Sequence, residues 1–260
     1  MGRPPNYPGT EITNKRYNNT RMHWITEYDR EHTKHLGVYS DATDVFVKHL
    51  ADRIKNNQQN VIVVDGDTGS GKSTFAIQLC YALAKKQKVN FNLNEDYIYS
   101  LGDLMKKLDG QCNNPISLFD EGSLLLNSKS SQRREDMSMV ALFDTMRSRG
   151  WTTVICIPSI NQLNKTVRTV HADFLCHCSS PTRPIVPGIG RGIVEFNYAK
   201  RSQFAKGEDP YWYLCYTGVF RELPPEIDAE YQPIKRHAQD VLIRRIIKRN
   251  NEIIADEDEE

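Results

Sequence analysis

Residues 60–73 read NVIVVDGDTGSGKS, and this stretch decides the fold. The first six residues are mostly apolar and β-branched, which predicts a short buried strand. A helical pattern begins at Lys72, and the turn between strand and helix has the spacing G-x-x-x-x-G-K-S, from Gly66 to Ser73. A glycine-rich turn between a strand and a helix is the context of a phosphate-binding loop. The sequence therefore predicts a nucleotide site here.

Each part of this loop has a chemical task. Glycines allow backbone N–H groups to curve around phosphate oxygens, and the helix N-terminus adds its dipole. Lys72 is expected to reach the β- and γ-phosphates, and the hydroxyl of Ser73 is expected to bind Mg²⁺. The candidate nucleotide-binding residues are Gly66, Asp67, Thr68, Gly69, Ser70, Gly71, Lys72, Ser73 and Thr74.

A second motif, ISLFDE at residues 116–121, ends another predicted strand. Asp120 is expected to hold Mg²⁺, and Glu121 to polarise the attacking water. A carboxylate directly after the metal-binding aspartate favours an ATPase that turns over repeatedly over a kinase or a slow GTPase switch. The guanine-specifying pattern N-K-x-D is absent. ATP and Mg²⁺ are therefore the expected cofactors, with Lys72, Asp120 and Glu121 as the catalytic candidates.

Four arginines follow this motif along the chain. An arginine inserted by a neighbouring subunit would stabilise the charge that develops on the transferred phosphate. Arg147 and Arg149 are the favoured candidates for this role, ahead of Arg133 and Arg134, and the choice among them stays open.

Short apolar strands alternate with helices through the middle of the chain. The further strands are predicted at 116–120, 152–157 and 174–178, and the helices at 41–56, 72–86, 99–108 and 135–148. This alternation needs crossover connections and so predicts an α/β fold with a mostly parallel sheet flanked by helices. The aromatic stretches 193–198 and 211–220 predict an antiparallel pair at the sheet edge. A basic tail with apolar periodicity from Pro233 predicts a C-terminal helix.

Three parts of the chain differ in composition. Residues 1–35 form a polar, basic arm, 36–225 the nucleotide-binding domain, and 226–260 a basic helix with an acidic tail. The charges almost cancel overall, with 34 Lys+Arg against 33 Asp+Glu, and 39% of the 260 residues are hydrophobic. This composition excludes a wholly disordered chain and a disulfide-stapled miniprotein. Apolar runs such as 61–64 are far shorter than the about 18 residues of a membrane span, and no signal peptide is recognisable, so a cytoplasmic protein is expected.

The cysteines are interpreted as reduced thiols, mostly buried. The run Cys176-His177-Cys178 raises the alternative of a metal site. In a strand, however, the two cysteines would share one face and His177 would lie on the other, and no second pair has zinc spacing. An apolar strand is therefore favoured.

Segments beside these motifs resemble the sequences of a known protein family. Residues 147–159 read RSRGWTTVICIPS and are followed by Val167-Arg168, a pattern that resembles FtsK/HerA-type DNA-pumping ATPases. The run FNLNED at 91–96, with the helix at 100–108, resembles small members carried by viruses and plasmids, including zonular-occludens-toxin-like and packaging ATPases. The likeness covers about residues 58 to 225. One departure is Ile157, where the family has a Gln that senses the γ-phosphate; Ser159, Asn161 or Gln162 are the candidate substitutes.

The resemblance implies a RecA-like core in a homo-oligomeric ring, often a hexamer, that moves double-stranded DNA through its centre. A portal or nuclease partner is compatible with such a motor. Clusters of Lys and Arg bind DNA phosphates through counterion release. The candidate DNA contacts are Lys165, Arg168, Arg183, Arg191, Arg244, Arg245, Lys248 and Arg249.

Four functional hypotheses remain open. The favoured one is an ATP-driven DNA translocase that packages or transfers the genome of a virus or mobile element. The alternatives are a DNA-associated initiator or partitioning ATPase, a nucleoside or nucleotide kinase, and an assembly protein that nucleotide merely locks. DNA-stimulated ATP turnover together with displacement of a triplex strand separates the first hypothesis from the others.

Overall fold

The computed structural model describes residues 38–39, 41–99, 101–109, 116–120, 141–146, 150–180, 192–201 and 208–258. The chain divides into two compact units, one ending at Leu223 and the other beginning at Pro224. The predicted basic arm, 1–35, lies outside the described residues. Within the described part of the chain, no helix has the length and apolar content that a membrane crossing requires.

The first unit contains a seven-stranded mixed sheet in the order β1-β7-β6-β5-β2-β4-β3. Its strands are β1 (Val38–Tyr39), β2 (Asn60–Asp65), β3 (Ile116–Phe119), β4 (Thr152–Cys156), β5 (Phe174–Ser179), β6 (Gly192–Lys200) and β7 (Tyr211–Phe220). The neighbours β5, β2, β4 and β3 run parallel, whereas β6, β7 and β1 extend the sheet by antiparallel pairing. The predicted α/β fold class is confirmed, with the short strand β1 added to the expected antiparallel pair.

The helices of this unit are α1 (Asp41–Lys55), α2 (Lys72–Gln87), the single turn α3 (Leu93–Asp96) and α4 (Leu101–Asp109). A further helical stretch, 141–146, is the described part of the helix predicted at 135–148. Side chains from these helices fill both faces of the sheet. On one face, Phe46 of α1 and Phe75 of α2 contact Phe196 of β6, with ring centroids 4.7 and 5.9 Å apart. On the other, Leu104 of α4 and Phe143 belong to one buried apolar cluster with strand residues.

The central strands are buried along their whole length. Every residue of β2, β3 and β4 is buried, as parallel strands covered on both faces require. The strand β4 lies between β2 and β3, so the strand that leads into the glycine-rich loop and the strand that ends before Asp120 are two strand spacings apart, about 10 Å. Their carboxyl ends lie at the same sheet edge, because all three strands are parallel. This edge carries the candidate site.

The second unit contains one long helix, α5 (Pro225–Asp258). The predicted C-terminal helix is present, and Pro233, where the basic stretch begins, lies inside it. The start of the helix has its own signals. A proline fits the first helical position because its φ is already helical and its missing N–H is not needed there. Glu226 and Asp228 in the first turn are favourable to the helix dipole.

Acid is expected to weaken the first unit through His49. The ring of His49, in α1, packs edge-on against Phe174 at 5.7 Å between centroids. Burial, and secondarily the nearby Arg53, lower the pKa of His49 to about 4, against 6.5 for the free side chain. Because the folded pKa lies below the unfolded one, the unfolded chain binds the proton more tightly. The contribution of neutral His49 to stability is therefore complete above about pH 6.5 and is lost as the pH falls towards 4.

Urea unfolding followed between pH 7 and pH 5 measures this effect. The wild-type midpoint should fall across that range, and the fall should be smaller in His49→Leu, which cannot be protonated there. His237→Gln, at an exposed position of α5, is the matched control and should follow the wild type. If the urea midpoints of the wild type and of His49→Leu fall equally between pH 7 and pH 5, the prediction is contradicted.

Candidate nucleotide-binding site

The loop between β2 and α2 has a backbone that only glycine adopts readily. Gly66, Gly69 and Gly71 have φ angles of 139°, 82° and 89°, all in the range that side chains disfavour. At Gly66 space is also missing, since a Cβ would lie 2.0 Å from the carbonyl oxygen of Cys178. The glycines therefore permit both the turn and the close approach of β5. Asp67 and Thr68 lie exposed on the loop, Ser70 is buried and Thr74 is half-buried.

Lys72 is the first residue of α2, and its ammonium group lies over the loop. The Nζ atom donates hydrogen bonds to the carbonyl oxygens of Gly66 and Asp67, each at 2.8 Å. A cation held at a helix N-terminus and beside loop amides is suited to pair with a phosphate. The glycine-rich loop and the Lys72 ammonium group fit the phosphates of a nucleoside triphosphate.

Ser73 and Asp120 meet across the sheet edge. The Ser73 Oγ donates to Asp120 Oδ1 at 2.8 Å, although the two residues are 47 positions apart. The second oxygen of Asp120, Oδ2, accepts a hydrogen bond from the Tyr97 hydroxyl at 3.0 Å. A hydroxyl and a carboxylate are the hard oxygen donors that Mg²⁺ prefers. This donor set fits Mg²⁺ bound together with the phosphates of a nucleotide.

On the other side of β2, a histidine–aspartate pair adjoins the loop. His177 Nδ1 lies 2.8 Å from Oδ1 of Asp65, the last residue of β2. The other oxygen of Asp65 accepts from the backbone N–H of Ile160 at 3.1 Å. Ser180, just after β5, donates to the Gly69 carbonyl at 3.4 Å. Sequence reasoning missed this pair; its signal is the acidic residue that directly precedes Gly66, opposite a histidine in the neighbouring parallel strand.

The cysteines near this site are buried free thiols. Cys176 and Cys178 are buried and His177 is exposed, which is the alternation predicted for a strand. Burial raises the pKa values of both thiols. Within the described residues, no group of three or more His, Cys, Asp or Glu side chains could hold a metal ion. The described thiols are all free: Cys80, Cys156, Cys176, Cys178 and Cys215. Cys112 lies outside the described residues.

The segment after β4 contains the candidate sensors of the γ-phosphate. Ile157, where the resemblance implies a Gln, is buried and its backbone N–H donates to the Val64 carbonyl at 3.0 Å. Ser159 accepts from the Asn161 N–H at 3.4 Å and caps a short 3₁₀ helix. Asn161 and Gln162 are exposed. None of the three substitutes is distinguished by these contacts, so the sensor assignment stays a prediction.

Arg168, predicted as a DNA contact, already has an acidic partner. Its Nε and Nη2 atoms donate to the two carboxylate oxygens of Asp209 at 2.6 and 3.0 Å. Its Nη1 atom donates to the Asn161 carbonyl at 3.2 Å. A phosphate would have to compete with this bidentate pair. Lys165 and Arg244 are exposed, whereas the side chains of Arg245, Lys248 and Arg249 lie outside the described set.

Several predicted site residues lie outside the described part of the chain. They are Glu121, Arg133, Arg134, Arg147, Arg149, Arg183 and Arg191. Their roles stay predictions from the sequence.

Comparison with protein families gives one match. The family model that matches is described as Zonular occludens toxin (Zot). It matches residues 99–183, which include the strand before Asp120 and the segment after β4. The predicted resemblance to zonular-occludens-toxin-like proteins is therefore confirmed over these residues. A search of curated proteins gives no match.

The solved structures that match this chain include three of different origin. A chain of the HORMA:CdnC:Trip13 complex of E. coli MS115-1 is 16% identical, with a TM-score of 0.39, covering 55% of this chain and 63% of that one. The N-terminal domain of zonular occludens toxin from Neisseria meningitidis is 12% identical (TM-score 0.37; 65% and 97% covered). The genome packaging NTPase B204 of Sulfolobus turreted icosahedral virus 2, in complex with AMP, is 14% identical (TM-score 0.35; 54% and 92% covered).

The chain spans less than two thirds of the length of the first of these structures. The fold assignment depends on the strand order and on the geometry of the glycine-rich loop. The family model matches residues 99–183 of this fold. The chain thus has a mostly parallel α/β fold with a glycine-rich G-x-x-x-x-G-K-S loop between β2 and α2.

Proposed function

We propose that this chain is an ATP-driven DNA translocase, a genome-packaging or DNA-transfer motor of a virus or mobile element. The observation that carries the proposal is the 2.8 Å hydrogen bond between Ser73 and Asp120, which joins the start of α2 to the end of β3. This contact supports a single site in which the glycine-rich loop binds phosphate and the Asp120 carboxylate holds Mg²⁺. The DNA-directed part is supported by the likeness of residues 147–159 and 167–168 to DNA-pumping ATPases.

In the proposed reaction, each residue has one role. Lys72 pairs with the β- and γ-phosphates, while Ser73 and Asp120 hold Mg²⁺. Mg²⁺ supplies charge neutralisation on the phosphate oxygens. Glu121, the residue directly after Asp120, accepts a proton from the attacking water. Arg147 or Arg149 of a neighbouring copy stabilises the developing negative charge, so that hydrolysis requires the homo-oligomeric ring.

The DNA contacts are proposed for exposed basic side chains. Lys165 and Arg244 are exposed, and Arg244 opens the sequence RRIIKR at residues 244–249. Basic residues four apart on a helix lie on one side, and such clusters bind duplex phosphates through counterion release. Arg168 is expected to contribute less, because Asp209 already neutralises it.

The test is the steady-state ATPase rate with and without double-stranded DNA, at several salt concentrations. We expect DNA to stimulate the wild type, and added salt to remove that stimulation. Glu121→Gln should lower the rate at least about 100-fold, because loss of a general base typically costs that much. Glu95→Gln, at an exposed position in α3, is the matched control and should keep the wild-type rate.

Each outcome decides between the functional hypotheses. Turnover that DNA does not change would overturn the translocase and leave the kinase or a partner-dependent ATPase. Nucleotide binding with negligible turnover would favour an assembly protein. DNA-stimulated turnover would lead to a triplex-displacement assay, in which a translocase removes the third strand and an initiator or partitioning ATPase does not.

A further inference from the structure

Tyr97 is a buried tyrosine that no sequence motif singles out. Its residue is 3% exposed, and its hydroxyl donates to Asp120 Oδ2 at 3.0 Å. The metal-binding carboxylate of the proposed site therefore has a second donor besides Ser73. This contact raises the question of what the phenol does for the carboxylate.

The backbone around Tyr97 is attached to β3. Tyr97 forms a parallel bridge with Leu118, and the backbone N–H of Ile98 donates to the Leu118 carbonyl at 2.8 Å. The residue pair 97–98 thus continues the sheet beside the strand that ends just before Asp120. Because both groups belong to hydrogen-bonded neighbours, the phenol and the carboxylate are held in a fixed relation.

The residue before Tyr97 is anchored as well. Asp96 pairs with Lys107 at 2.5 Å, and its other oxygen accepts the Asn92 N–H at 2.8 Å. Both members of the ion pair are almost completely buried, with side-chain exposures of 4% and 3%. The Lys107 ammonium also donates to the carbonyl of Ile116, the first residue of β3. Tyr97 therefore lies between two attachments to β3, one through Lys107 at Ile116 and one at Leu118.

The two oxygens of Asp120 have separate donors. Oδ1 accepts from Ser73 and Oδ2 from Tyr97. A carboxylate with one donor can rotate, whereas donors on both oxygens fix its plane. A serine hydroxyl has one hydrogen and two lone pairs. When its hydrogen is directed to Asp120, the lone pairs of Ser73 remain available for a metal ion.

We infer that Tyr97 is a positioning residue for the Mg²⁺–nucleotide site. It holds Asp120 in the orientation that accepts the Ser73 hydrogen, and so directs the Ser73 lone pairs to Mg²⁺. The inference rests on the nucleotide-binding part of the proposed function and is independent of DNA movement. Tyr97 contacts neither the substrate nor the reacting atoms in this role, and it acts through Asp120.

The test compares Tyr97→Phe with Tyr99→Phe. Phenylalanine keeps the ring and removes only the hydroxyl, and Tyr99, whose ring centroid is 4.9 Å from that of Tyr97, provides the matched hydroxyl deletion. Binding of a fluorescent ATP analogue is titrated with Mg²⁺. In Tyr97→Phe we expect the Mg²⁺ concentration at half-maximal binding to rise about tenfold, equivalent to ~1.4 kcal/mol. Tyr99→Phe should stay within about twofold of the wild type.

Two further measurements separate positioning from a merely structural role. Mn²⁺ in place of Mg²⁺ allows bound metal to be counted by electron paramagnetic resonance, and Tyr97→Phe should retain less bound Mn²⁺ at equal nucleotide. Thermal melting in EDTA reports stability without metal. If Tyr97→Phe does not fold, Tyr97→His, which keeps a hydrogen-bond donor, takes its place. The Mg²⁺ concentration at half-maximal binding should rise in Tyr97→His, but binding of the analogue should still depend on Mg²⁺.

The possible failures are distinguishable. A wild type that binds no analogue with Mg²⁺ would overturn the proposed function itself. A wild type that binds, with a Tyr97→Phe midpoint within about twofold and only a lower melting temperature, would overturn this inference alone. A raised Mg²⁺ midpoint with an unchanged Tyr99→Phe would support it.

Discussion

Replacing Lys72 by alanine is expected to lower ATP hydrolysis at least about 100-fold, because it removes the only loop cation placed at the start of α2 in the described chain. Loss of one donor to a developing oxyanion typically costs about 10²–10³ in rate, or roughly 3–4 kcal/mol. The stability of the fold should change little, because the Lys72 ammonium donates only to the carbonyls of Gly66 and Asp67 on the loop.

The measurement is a steady-state ATPase assay together with urea unfolding of the same preparations. Lys85→Ala removes an exposed lysine from the last turn of the same helix and is the matched control. It should keep both the rate and the unfolding midpoint of the wild type. A Lys72→Ala protein that hydrolyses ATP within about tenfold of the wild type would show that the loop is not the catalytic phosphate site.

The local part of the site was predictable from the sequence. The strand Asn60–Asp65, the turn and the helix from Lys72 follow from neighbouring residues, since β-branched residues favour strands and glycine permits the positive φ angles of the turn. The functional pairing of Ser73 with Asp120 was also expected, because the chemistry of Mg²⁺ demands a carboxylate at the end of a nearby strand. Periodicity predicted the buried cysteines of β5 on the same grounds, since successive side chains of a strand alternate between faces.

The contacts that depend on strand order were not predictable. Hydrophobic alternation tells which face a residue occupies, but not which strand lies beside it. The pairs Asp65–His177 and Tyr97–Asp120 need β5 next to β2 and the 97–98 segment next to β3. Arg168 illustrates the same point, because its charge suggested DNA whereas Asp209, 41 residues away, binds it in the fold.

Replacing Lys107 by methionine is expected to destabilise the first unit by about 3–5 kcal/mol, because it leaves the buried carboxylate of Asp96 without its cation. The Lys107 Nζ lies 2.5 Å from Asp96 Oδ1 and also donates to the Ile116 carbonyl. Methionine keeps most of the side-chain volume, so the loss of stability reports the removal of the charge and its hydrogen bonds rather than the creation of a cavity. Thermal or urea unfolding measures it, and Lys106→Met, at the exposed neighbouring position of α4, is the matched control.

A double substitution tests whether the uncompensated charge is the cause. Asp96→Asn together with Lys107→Met removes both charges, and it should be less destabilised than Lys107→Met alone, because no buried charge is left unpaired. If the losses of stability from the two substitutions simply add in the double variant, the two side chains act independently, as packing groups. Since Asp96 directly precedes Tyr97, the single variant should also raise the Mg²⁺ concentration needed for nucleotide binding, and the double variant should raise it less. The fold and the proposed metal site would then share one buried ion pair as their common support.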